Sequence, residues 1–362
     1  MADNNKRTHT RTMVLIFVFC LSAGAGILYL SLTTIGADTL AIPVPQEAAA
    51  NSIPTEFTFF IPDGTRKGLS ANGLCYSNGE LFVSYRGSDR IDVYNSKLEP
   101  LRHFELLGGS PASISSIAVG PKLLFAADFK GNEILFADQL TGKLAQTFGF
   151  LPDGKTRVNP YSVTVQGEML YVTDVAQHSV LVISTTDFTA LRERGEVVLR
   201  IPPESDAHAP KFPTFTCVTP DGRLLISDLA GGKISVFSCS GRFITDFEVP
   251  GEKIAPMGLV QDDIVTSELQ ARKDTLFDPS GTLDQGRFHV ADAAAGCIRV
   301  FDPHGRYLGS YGDTLIAPSG VAVDILNHRI FVADPGLGGI AIFTYSASAS
   351  AQSSSLSRRI RR

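Results

Sequence analysis

Six segments of the chain repeat one pattern of apolar and polar positions. In each, an apolar residue, a small residue and usually an Asp precede four loop residues, one variable residue and a run of alternating apolar positions. They read "VSYRGSDRIDVY" (83–94), "AADFKGNEILFA" (126–137), "VTDVAQHSVLVI" (172–183), "ISDLAGGKISVF" (226–237), "VADAAAGCIRVF" (290–301) and "VADPGLGGIAIF" (332–343). Alternation with a period of two on both sides of a short turn is typical of paired strands. The pattern therefore predicts six β-hairpins.

Two further strands accompany each hairpin. A strand with a shared sequence precedes it, at 71–77, 114–120, 159–165, 213–219, 255–261 and 317–323. A small turn and a fourth strand follow it, as in "TGKLAQTFG", "SGRFITDFEVPG" and "HGRYLGSYGD". Four strands in each of six units predict an all-β fold, a six-bladed β-propeller.

The last blade has no fourth strand of its own, because low-complexity sequence follows Phe343. A spare strand, "TEFTFFIP" (55–62), precedes the first blade. An open ring would leave unpaired strand edges, which proteins avoid. We therefore expect residues 55–62 to complete the last blade and close the ring.

The Asp that recurs once in each repeat is interpreted as structural. An Asp at the end of a strand can accept hydrogen bonds from the amides of the following turn. Catalysis needs one convergent cluster, whereas this residue occurs in five of the six blades. The predicted turn-capping residues are Asp128, Asp174, Asp228, Asp292 and Asp334, and Tyr85 replaces Asp in the first blade. His178, within one of these turns, is expected to be an exposed hairpin residue.

These repeats resemble the NHL repeat family. The best copy is "APSGVAVD" (317–324) followed by "FVADPGLGGIAIF" (331–343), and the resemblance extends over about residues 55–344. It implies a six-bladed propeller, and it implies binding or scaffolding, which is the common work of NHL propellers. Departures include Tyr85, a long insertion in blade 5, and Gly where Asn or His is common in the turns.

The position x of the Pro-x-Gly strands faces the central channel in this family. NHL-like peptidyl-hydroxyglycine amidating lyases hold zinc there with three His residues, and gluconolactonase-like propellers use Glu with Asn or Asp. Here the position holds Asn72, Ser115, Tyr161, Thr214, Met257 and Ser319. Zinc needs several N, S or carboxylate ligands at one point. We therefore predict no metal, no cofactor and no catalytic residue at this ring. The other histidines are expected to be surface or turn residues.

One face of the predicted propeller collects basic residues. The loops that lead into the inner strands and the loops after the Asp positions share this face. It is expected to carry Arg66, Lys67, Arg86, Lys155, Arg157, Tyr161 and, in the loop 202–213, His208. A basic patch on an acidic body can hold an anionic partner; the alternative is a set of ordinary solvated loops. The insertion at 262–286 belongs to the other face, and its mixed charges suit a protein contact.

The N-terminus predicts a membrane anchor. No charged residue lies between Arg11 and Asp38, and the apolar run 13–32 can span a hydrocarbon core of roughly 30 Å as a helix. Basic residues precede this run, which predicts a cytoplasmic N-terminus and an extracytoplasmic, periplasmic body. The expected order is a basic segment (1–12), a signal anchor or transmembrane helix (13–35), a linker (36–54), the propeller (55–344) and a disordered basic tail (345–362). The alternative is a cleaved signal peptide and a secreted body.

The net charge and the cysteine pattern argue against two classes of function, nucleic-acid binding and covalent haem attachment. The net charge is −5 and both ends are basic, so the body is acidic and would repel a nucleic-acid backbone. No CxxCH sequence is present, so the chain does not attach a c-type haem.

We therefore expect a binding scaffold in the cell envelope rather than an enzyme, with a protein, peptide or glycan partner and no nucleic acid. The alternatives are a lyase or hydrolase at the channel mouth, including a metal-free site with Tyr161 and Arg86, and an accessory component of an envelope electron-transfer complex.

Overall fold

The described part of the computed structural model comprises residues 54, 57–151, 153–185, 197–203, 206–262 and 286–344. Within these residues the chain forms six sheets of four strands each. This confirms the all-β, six-bladed propeller. The predicted anchor (13–35), the basic segment before it and the tail (345–362) lie outside the described residues. In the part that is described, no helix has the length and the apolar character that a membrane crossing requires.

Each blade is an antiparallel sheet in which the chain runs from the inner strand outward. The first three blades consist of β2 (Ser70–Ser77), β3 (Glu80–Arg86), β4 (Arg90–Asn95) and β5 (Pro100–Glu105); β6 (Ile114–Val119), β7 (Leu123–Asp128), β8 (Glu133–Asp138) and β9 (Leu144–Phe148); and β10 (Pro160–Gln166), β11 (Met169–Asp174), β12 (Ser179–Ser184) and β13 (Val197–Ile201).

Blades 4 and 5 follow the same plan. They consist of β14 (Pro213–Val218), β15 (Arg223–Asp228), β16 (Lys233–Ser238) and β17 (Phe243–Phe247), and of β18 (Pro256–Asp262), β19 (Arg287–Asp292), β20 (Cys297–Phe301) and β21 (Tyr307–Tyr311). Asp262 pairs directly with Arg287, so the two sides of the blade-5 insertion meet in one strand pair. The insertion itself, residues 263–285, lies outside the described residues.

Blade 6 is assembled from both ends of the propeller. Its strands are β22 (Val321–Asp324), β23 (Arg329–Asp334), β24 (Gly339–Thr344) and, as the outer strand, β1 (Phe57–Phe60). β1 is antiparallel to β24, and Phe57 lies opposite Phe343. The ring is therefore closed by the segment that the sequence predicted. A one-turn helix, α1 (Asp63–Arg66), connects β1 to blade 1.

The core lies between the blades. Each apolar cluster contains side chains from neighbouring blades. One of them, for example, contains Phe125 of blade 2 and Val172 of blade 3. Many of the largest fully buried side chains are Phe residues of the second and third strands. A buried aromatic side chain removes 150–250 Å² from water, which makes these inter-blade surfaces the main source of stability.

Candidate functional site

The antiparallel register brings two sets of loops to one face of the propeller. The first residue of an inner strand lies beside the last residue of the second strand, as Pro160 does beside Asp174 and Pro256 beside Asp292. The loops that lead into the inner strands therefore lie next to the turns after the Asp positions. We call this the loop face. The turns between the third and fourth strands lie on the opposite face.

The recurring aspartates connect these two sets of loops. Asp334 Oδ1 accepts hydrogen bonds from the amides of Gly336 and Leu337 in its own turn, and from Ala317 in the leading loop. Its Oδ2 accepts a bond from the Ile316 amide at 2.7 Å. The remaining four aspartates also accept amide hydrogen bonds, through contacts at Asp128, Asp174, Asp228 and Asp292. All five carboxylates are buried and engaged in holding loops, which is a structural role.

In blade 1 the carboxylate comes from the third strand, β4, instead of the end of the second. Tyr85 occupies the Asp position, and its hydroxyl donates to Asp92 Oδ2 at 2.5 Å. Asp92 also accepts the Gly64 amide of the leading loop at 2.8 Å and pairs with Arg90 at 2.7 Å. Burial, followed by the Asp92 carboxylate, raises the pKa of Tyr85. Asp92 thus holds the leading loop in blade 1 as the recurring Asp does elsewhere.

The fourth loop residue of each turn is restricted by its backbone conformation. Five of these residues have a positive φ between 52° and 74°, namely Asn132, His178, Gly232, Gly296 and Gly338. Only Gly, and to a lesser extent residues such as Asn and His, adopt this region without large strain. The Gly residues that depart from the NHL pattern therefore meet the same requirement. His178 is exposed, and its Nδ1 lies 2.8 Å from the carbonyl oxygen of Lys211.

Side chains at the channel position x bind neighbouring blades to one another. Asn72 Nδ2 donates to the Ser115 carbonyl at 2.8 Å, and Ser115 Oγ donates to the Tyr161 carbonyl at 2.5 Å. Across the ring, Thr214 Oγ1 donates to the Pro256 carbonyl at 3.0 Å. Ser319 Oγ donates to the Asn72 carbonyl at 3.1 Å, which joins blade 6 to blade 1. These polar groups therefore form hydrogen bonds between neighbouring blades and help to hold the ring closed.

Tyr161 belongs to an aromatic cluster on the loop face. Its ring centroid lies 5.6 Å from Phe129, 6.1 Å from Phe212 and 5.8 Å from Phe215. Tyr161 and Phe215 are buried, whereas Phe129 and Phe212 are half-buried and reach the surface. Blades 2, 3 and 4 thus contribute one apolar surface where the channel opens.

Arg86, the last residue of β3, belongs to the loop face of blade 1. Burial raises the pKa of the Tyr161 phenol, and a hydrogen bond and the positive charge from the Arg86 guanidinium act in the opposite direction. Arg86 itself is exposed. We call Arg86, Phe129, Tyr161 and Phe212 the channel mouth. Of the seven residues predicted for a partner face, Tyr161 lies in the aromatic cluster and Arg86 is an exposed cation of the same face.

The other five predicted residues have different surroundings. Arg66 and Lys67 lie at the end of α1 and are exposed, and Lys155 lies in an exposed turn held by Asp153. Arg157 lies 4.9 Å over the Phe150 ring and donates to the Gly131 carbonyl at 3.3 Å. His208 stacks on Phe243 of the outer strand of blade 4, with ring centroids 3.8 Å apart. His208 therefore belongs to the rim rather than to the channel mouth.

A small cleft lies beside the turn of blade 3, away from the channel mouth. Its volume is about 140 Å³, and Gln177, His178, Ser179 and Arg200 are among the residues that line it. Ser179 Oγ and, on the neighbouring strand, Asp174 Oδ2 are buried without a hydrogen-bond partner among the described residues. Burial raises the pKa of Asp174, against the effect of its amide hydrogen bonds.

The expectation that every remaining histidine lies on the surface or in a turn is wrong for His289. This side chain is 2% exposed and lies in β19 between buried Phe288 and Val290. Its Nε2 is 2.9 Å from Asp262 Oδ2, and its Nδ1 is 3.1 Å from the Tyr311 hydroxyl. The position of His289 inside an apolar strand was the signal for burial in the sequence. The polar partners are the physical reason that a histidine is tolerated there.

Metal-ligating side chains do not converge among the described residues. No group of three or more His, Cys, Asp or Glu side chains could hold a metal ion there. The four cysteines in the same ranges, Cys75, Cys217, Cys239 and Cys297, are free thiols.

Comparisons with known proteins give a likeness of fold. No protein-family model and no curated protein matches the chain. Among solved structures, a streptogramin B lyase is similar with a TM-score of 0.54 and 14% identity, over 83% of this chain and 100% of the other. A catalytically inactive virginiamycin B lyase from Staphylococcus aureus with quinupristin has the same score and identity, over 80% and 99% of the two chains. At this identity the likeness supports the propeller fold alone, and the NHL family stays a resemblance.

Proposed function

We propose that this chain is a binding propeller of the cell envelope, anchored by residues 13–35 with the propeller on the extracytoplasmic side. Its loop face presents the channel mouth to a protein, peptide or glycan partner. The anchor brings the propeller close to the membrane, where envelope partners lie. The basic N-terminal segment and the uncharged apolar run support this orientation.

The observation that carries the proposal is the composition of the loop face at and around the channel mouth. The residues that directly follow the Asp positions are Arg86, Phe129, Val175, Leu229, Ala293 and Pro335. Five are apolar, and the sixth is an exposed arginine. Val175 and Ala293 form one apolar cluster with Tyr161, and Phe129 and Leu229 pack against it. Tyr and Arg are the residues most often found at the energetic centre of binding surfaces, where apolar neighbours exclude water.

The test places a photoreactive residue within the channel mouth of the full-length chain. Phe129 is replaced by p-benzoylphenylalanine, and the cells are irradiated. Leu140, which is 66% exposed on the opposite face, receives the same residue as the matched control. We expect a defined cross-linked product from position 129, none from position 140, and a several-fold lower yield when Arg86→Ala is added. Equal products from both positions, or a yield that Arg86→Ala leaves unchanged, would contradict a binding site at the channel mouth.

A lyase is the second candidate, because the similar solved structures are lyases. A tyrosine phenol is protonated at neutral pH, so Tyr161 could donate a proton to a leaving group, although burial raises its pKa and makes it a weaker acid. Quinupristin, present with one of these lyases, is a direct probe. Under the binding proposal the purified chain leaves quinupristin intact by mass spectrometry. Turnover that is lost in Tyr161→Phe, together with stoichiometric metal in elemental analysis, would favour the lyase.

A further inference from the structure

We propose that the small cleft beside the turn of blade 3 is a second binding site, and that its ligand is a single sugar ring. We call it the blade-3 cleft. Ser179, Arg200, Gln177 and His178 supply its polar groups, and Ala and Pro residues line the rest. The site is separate from the channel mouth and does not depend on it.

Two buried polar atoms at blade 3 have no partner. In blades 4, 5 and 6 the Oδ2 atom of the recurring aspartate accepts a hydrogen bond. Asp174 Oδ2 accepts none among the described residues, and Ser179 Oγ is also unpaired there, although these residues are 0% and 1% exposed. Buried polar atoms are normally hydrogen-bonded, so blade 3 departs from the rest of the ring. Because Ser179 lines the cleft, a molecule bound in the cleft would supply the missing partner of its hydroxyl.

The strand registers bring Arg200 to the same place. Ser179 lies opposite Asp174 in the pair β11–β12, and Arg200 lies opposite Leu181 in the pair β12–β13. Residues directly opposite each other on antiparallel strands project to one side of the sheet, with Cβ atoms about 4.5–5.5 Å apart. Ser179 and Leu181 are two residues apart on one strand and therefore also share a side. Asp174, Ser179 and Arg200 thus project from the same side of blade 3.

The charges at the site offset each other. Arg200 is half-buried and forms no ion pair among the described residues. Burial raises the pKa of Asp174, and the positive charge of Arg200 is among the causes that oppose this effect. A guanidinium with a carboxyl group on the same side of the sheet suits a neutral polar ligand better than a free anion.

The lining groups match hydroxyls. Ser179 and Gln177 can both donate and accept hydrogen bonds, whereas Arg200 only donates. His178 Nδ1 lies 2.8 Å from the Lys211 carbonyl oxygen, so Nδ1 carries the hydrogen and Nε2 is the acceptor of the neutral ring. The Ala and Pro residues offer aliphatic surface. A sugar ring combines hydroxyls, which both donate and accept, with aliphatic C–H groups.

The size of the cleft limits the ligand to one ring. Its volume is about 140 Å³. Sites for drug-sized ligands enclose roughly 300–1,000 Å³. The blade-3 cleft therefore suits a free monosaccharide or the terminal unit of a glycan.

The first experiment measures binding to the full-length chain by saturation-transfer NMR. The micelles are of lauryldimethylamine oxide, because glucoside and maltoside detergents would themselves present sugar rings. The probes are methyl glucoside, methyl galactoside and N-acetylglucosamine. We expect millimolar binding of at least one of them, and about tenfold weaker binding of cyclohexylmethanol, which has a ring of similar size with one hydroxyl. Inorganic phosphate, added as a competitor, should leave the sugar signal unchanged. Absence of binding for all three sugars, or displacement of the sugar by equimolar phosphate, overturns the proposal.

Ser179→Ala separates a ligand-binding group from a structural one. Because Ser179 Oγ has no partner in the chain, its removal should leave the midpoint of urea unfolding unchanged or higher, while sugar binding weakens about fivefold or more. Ser235→Ala is the matched control, since Ser235 is fully buried in β16 of blade 4 with an unpaired Oγ and does not line the cleft. Sugar binding should be unchanged in this control. Unchanged binding in Ser179→Ala, or an equal loss in both variants, would overturn the assignment.

Arg200→Gln tests the guanidinium and should weaken sugar binding about tenfold. Lys97→Gln removes an exposed cation on the opposite face and should bind like the wild type. Circular dichroism shows whether each variant is folded. A folded Arg200→Gln protein that binds the sugar as tightly as Lys97→Gln does would count against the site.

A trisaccharide of the sugar that binds best distinguishes the two sources of the ring. Tighter binding of the trisaccharide indicates a glycan chain, and no gain indicates a free sugar. The channel mouth is tested separately by the Phe129 cross-link. If that cross-link forms while no sugar binds, the blade-3 cleft is refuted and the proposed function stands. If a sugar binds through Ser179 while position 129 gives no product, the cleft stands and the proposed function fails.

Discussion

Gly258 of β18 and Gly320, directly before β22, lie where the backbones of neighbouring blades approach closely. A Cβ on Gly258 would lie 2.4 Å from the Ser319 carbonyl oxygen, and a Cβ on Gly320 would lie 2.3 Å from that of Asn72. The amides of the same two glycines donate to these carbonyls at 2.9 Å. Glycine is required here by the close approach of two backbones, which cannot give way as a flexible side chain can.

We predict that Gly320→Ala lowers the free energy of unfolding by roughly 1–3 kcal/mol, because the added methyl group forces blades 6 and 1 apart. Urea unfolding followed by circular dichroism measures this. Gly149→Ala is the matched control, since its nearest neighbour to an added Cβ is 3.4 Å away. An equal loss in both variants would show that the effect is general to glycine and not to the contact between blades.

Two half-buried thiols link stability to alkaline pH. Burial raises the pKa of Cys75 from 9.0 to about 11 and that of Cys217 to about 12. Between pH 9 and 11 the unfolded chain releases these protons while the folded chain retains them, so stability is full below pH 9 and falls as the pH rises. A shift of two pKa units corresponds to at most about 3 kcal/mol for Cys75.

The measurement is urea unfolding at pH 8 and at pH 11 in the wild type and in a Cys75→Ala, Cys217→Ala variant. We expect the variant to lose less stability over this range. The tyrosines ionise in both proteins, so their contribution cancels in the difference. Identical pH profiles for the two proteins would contradict a thiol contribution. As a second readout, iodoacetamide at pH 8 should modify both thiols rapidly only after unfolding.

At the scale of elements, β1 determines whether the ring is closed. Phe57 contacts Phe343 of β24 with ring centroids 5.2 Å apart, and Phe60 contacts Tyr94 of blade 1 at 4.9 Å. The strand thus packs against both blade 6 and blade 1. Without it, β24 would present an unpaired edge to other chains.

Phe57→Ser combined with Phe60→Ser is expected to lower the free energy of unfolding by roughly 2–4 kcal/mol, because two aromatic contacts of the closing strand are lost. Light scattering should also rise with protein concentration as the edge of β24 becomes available. Phe59→Ser, at a side chain that is 43% exposed, is the control and should change little. A double variant as stable and monodisperse as this control would mean that β1 is not needed for closure.

At the scale of the whole molecule, polar contacts form a continuous belt around the channel. Besides the bonds at position x, Thr173 Oγ1 of blade 3 donates to the Thr214 carbonyl of blade 4 at 2.9 Å, and Gly258 N of blade 5 donates to the Ser319 carbonyl of blade 6. Every blade is thereby joined to the next near the axis, while apolar clusters join them further out. The scaffold holds the loop face rigid, and the channel mouth is presented on it.

The location of the propeller is a prediction for the intact chain. Membrane fractions should retain the full-length protein after alkaline carbonate extraction, because the apolar run 13–32 carries no charge. Phe17→Lys combined with Leu21→Lys should release it or prevent its export, since each lysine costs roughly 2.5–3.5 kcal/mol at the centre of a membrane helix. A soluble protein with a new N-terminus downstream of residue 24, found by mass spectrometry, would instead establish the secreted form.

Local patterns were sufficient to predict the blades. The period-two alternation, the repeated Asp and the spare strand 55–62 indicated six four-stranded blades and their closure, because strand pairing within a blade depends on neighbouring stretches of sequence. Only the tertiary structure decided which side chains meet between blades. Phe129, Tyr161 and Phe215 come from blades 2, 3 and 4, the channel side chains form hydrogen bonds between blades, and His289 has partners in two other strands. These contacts depend on the curvature of the whole ring and on side-chain direction, which a repeat that is nearly the same in every blade does not encode.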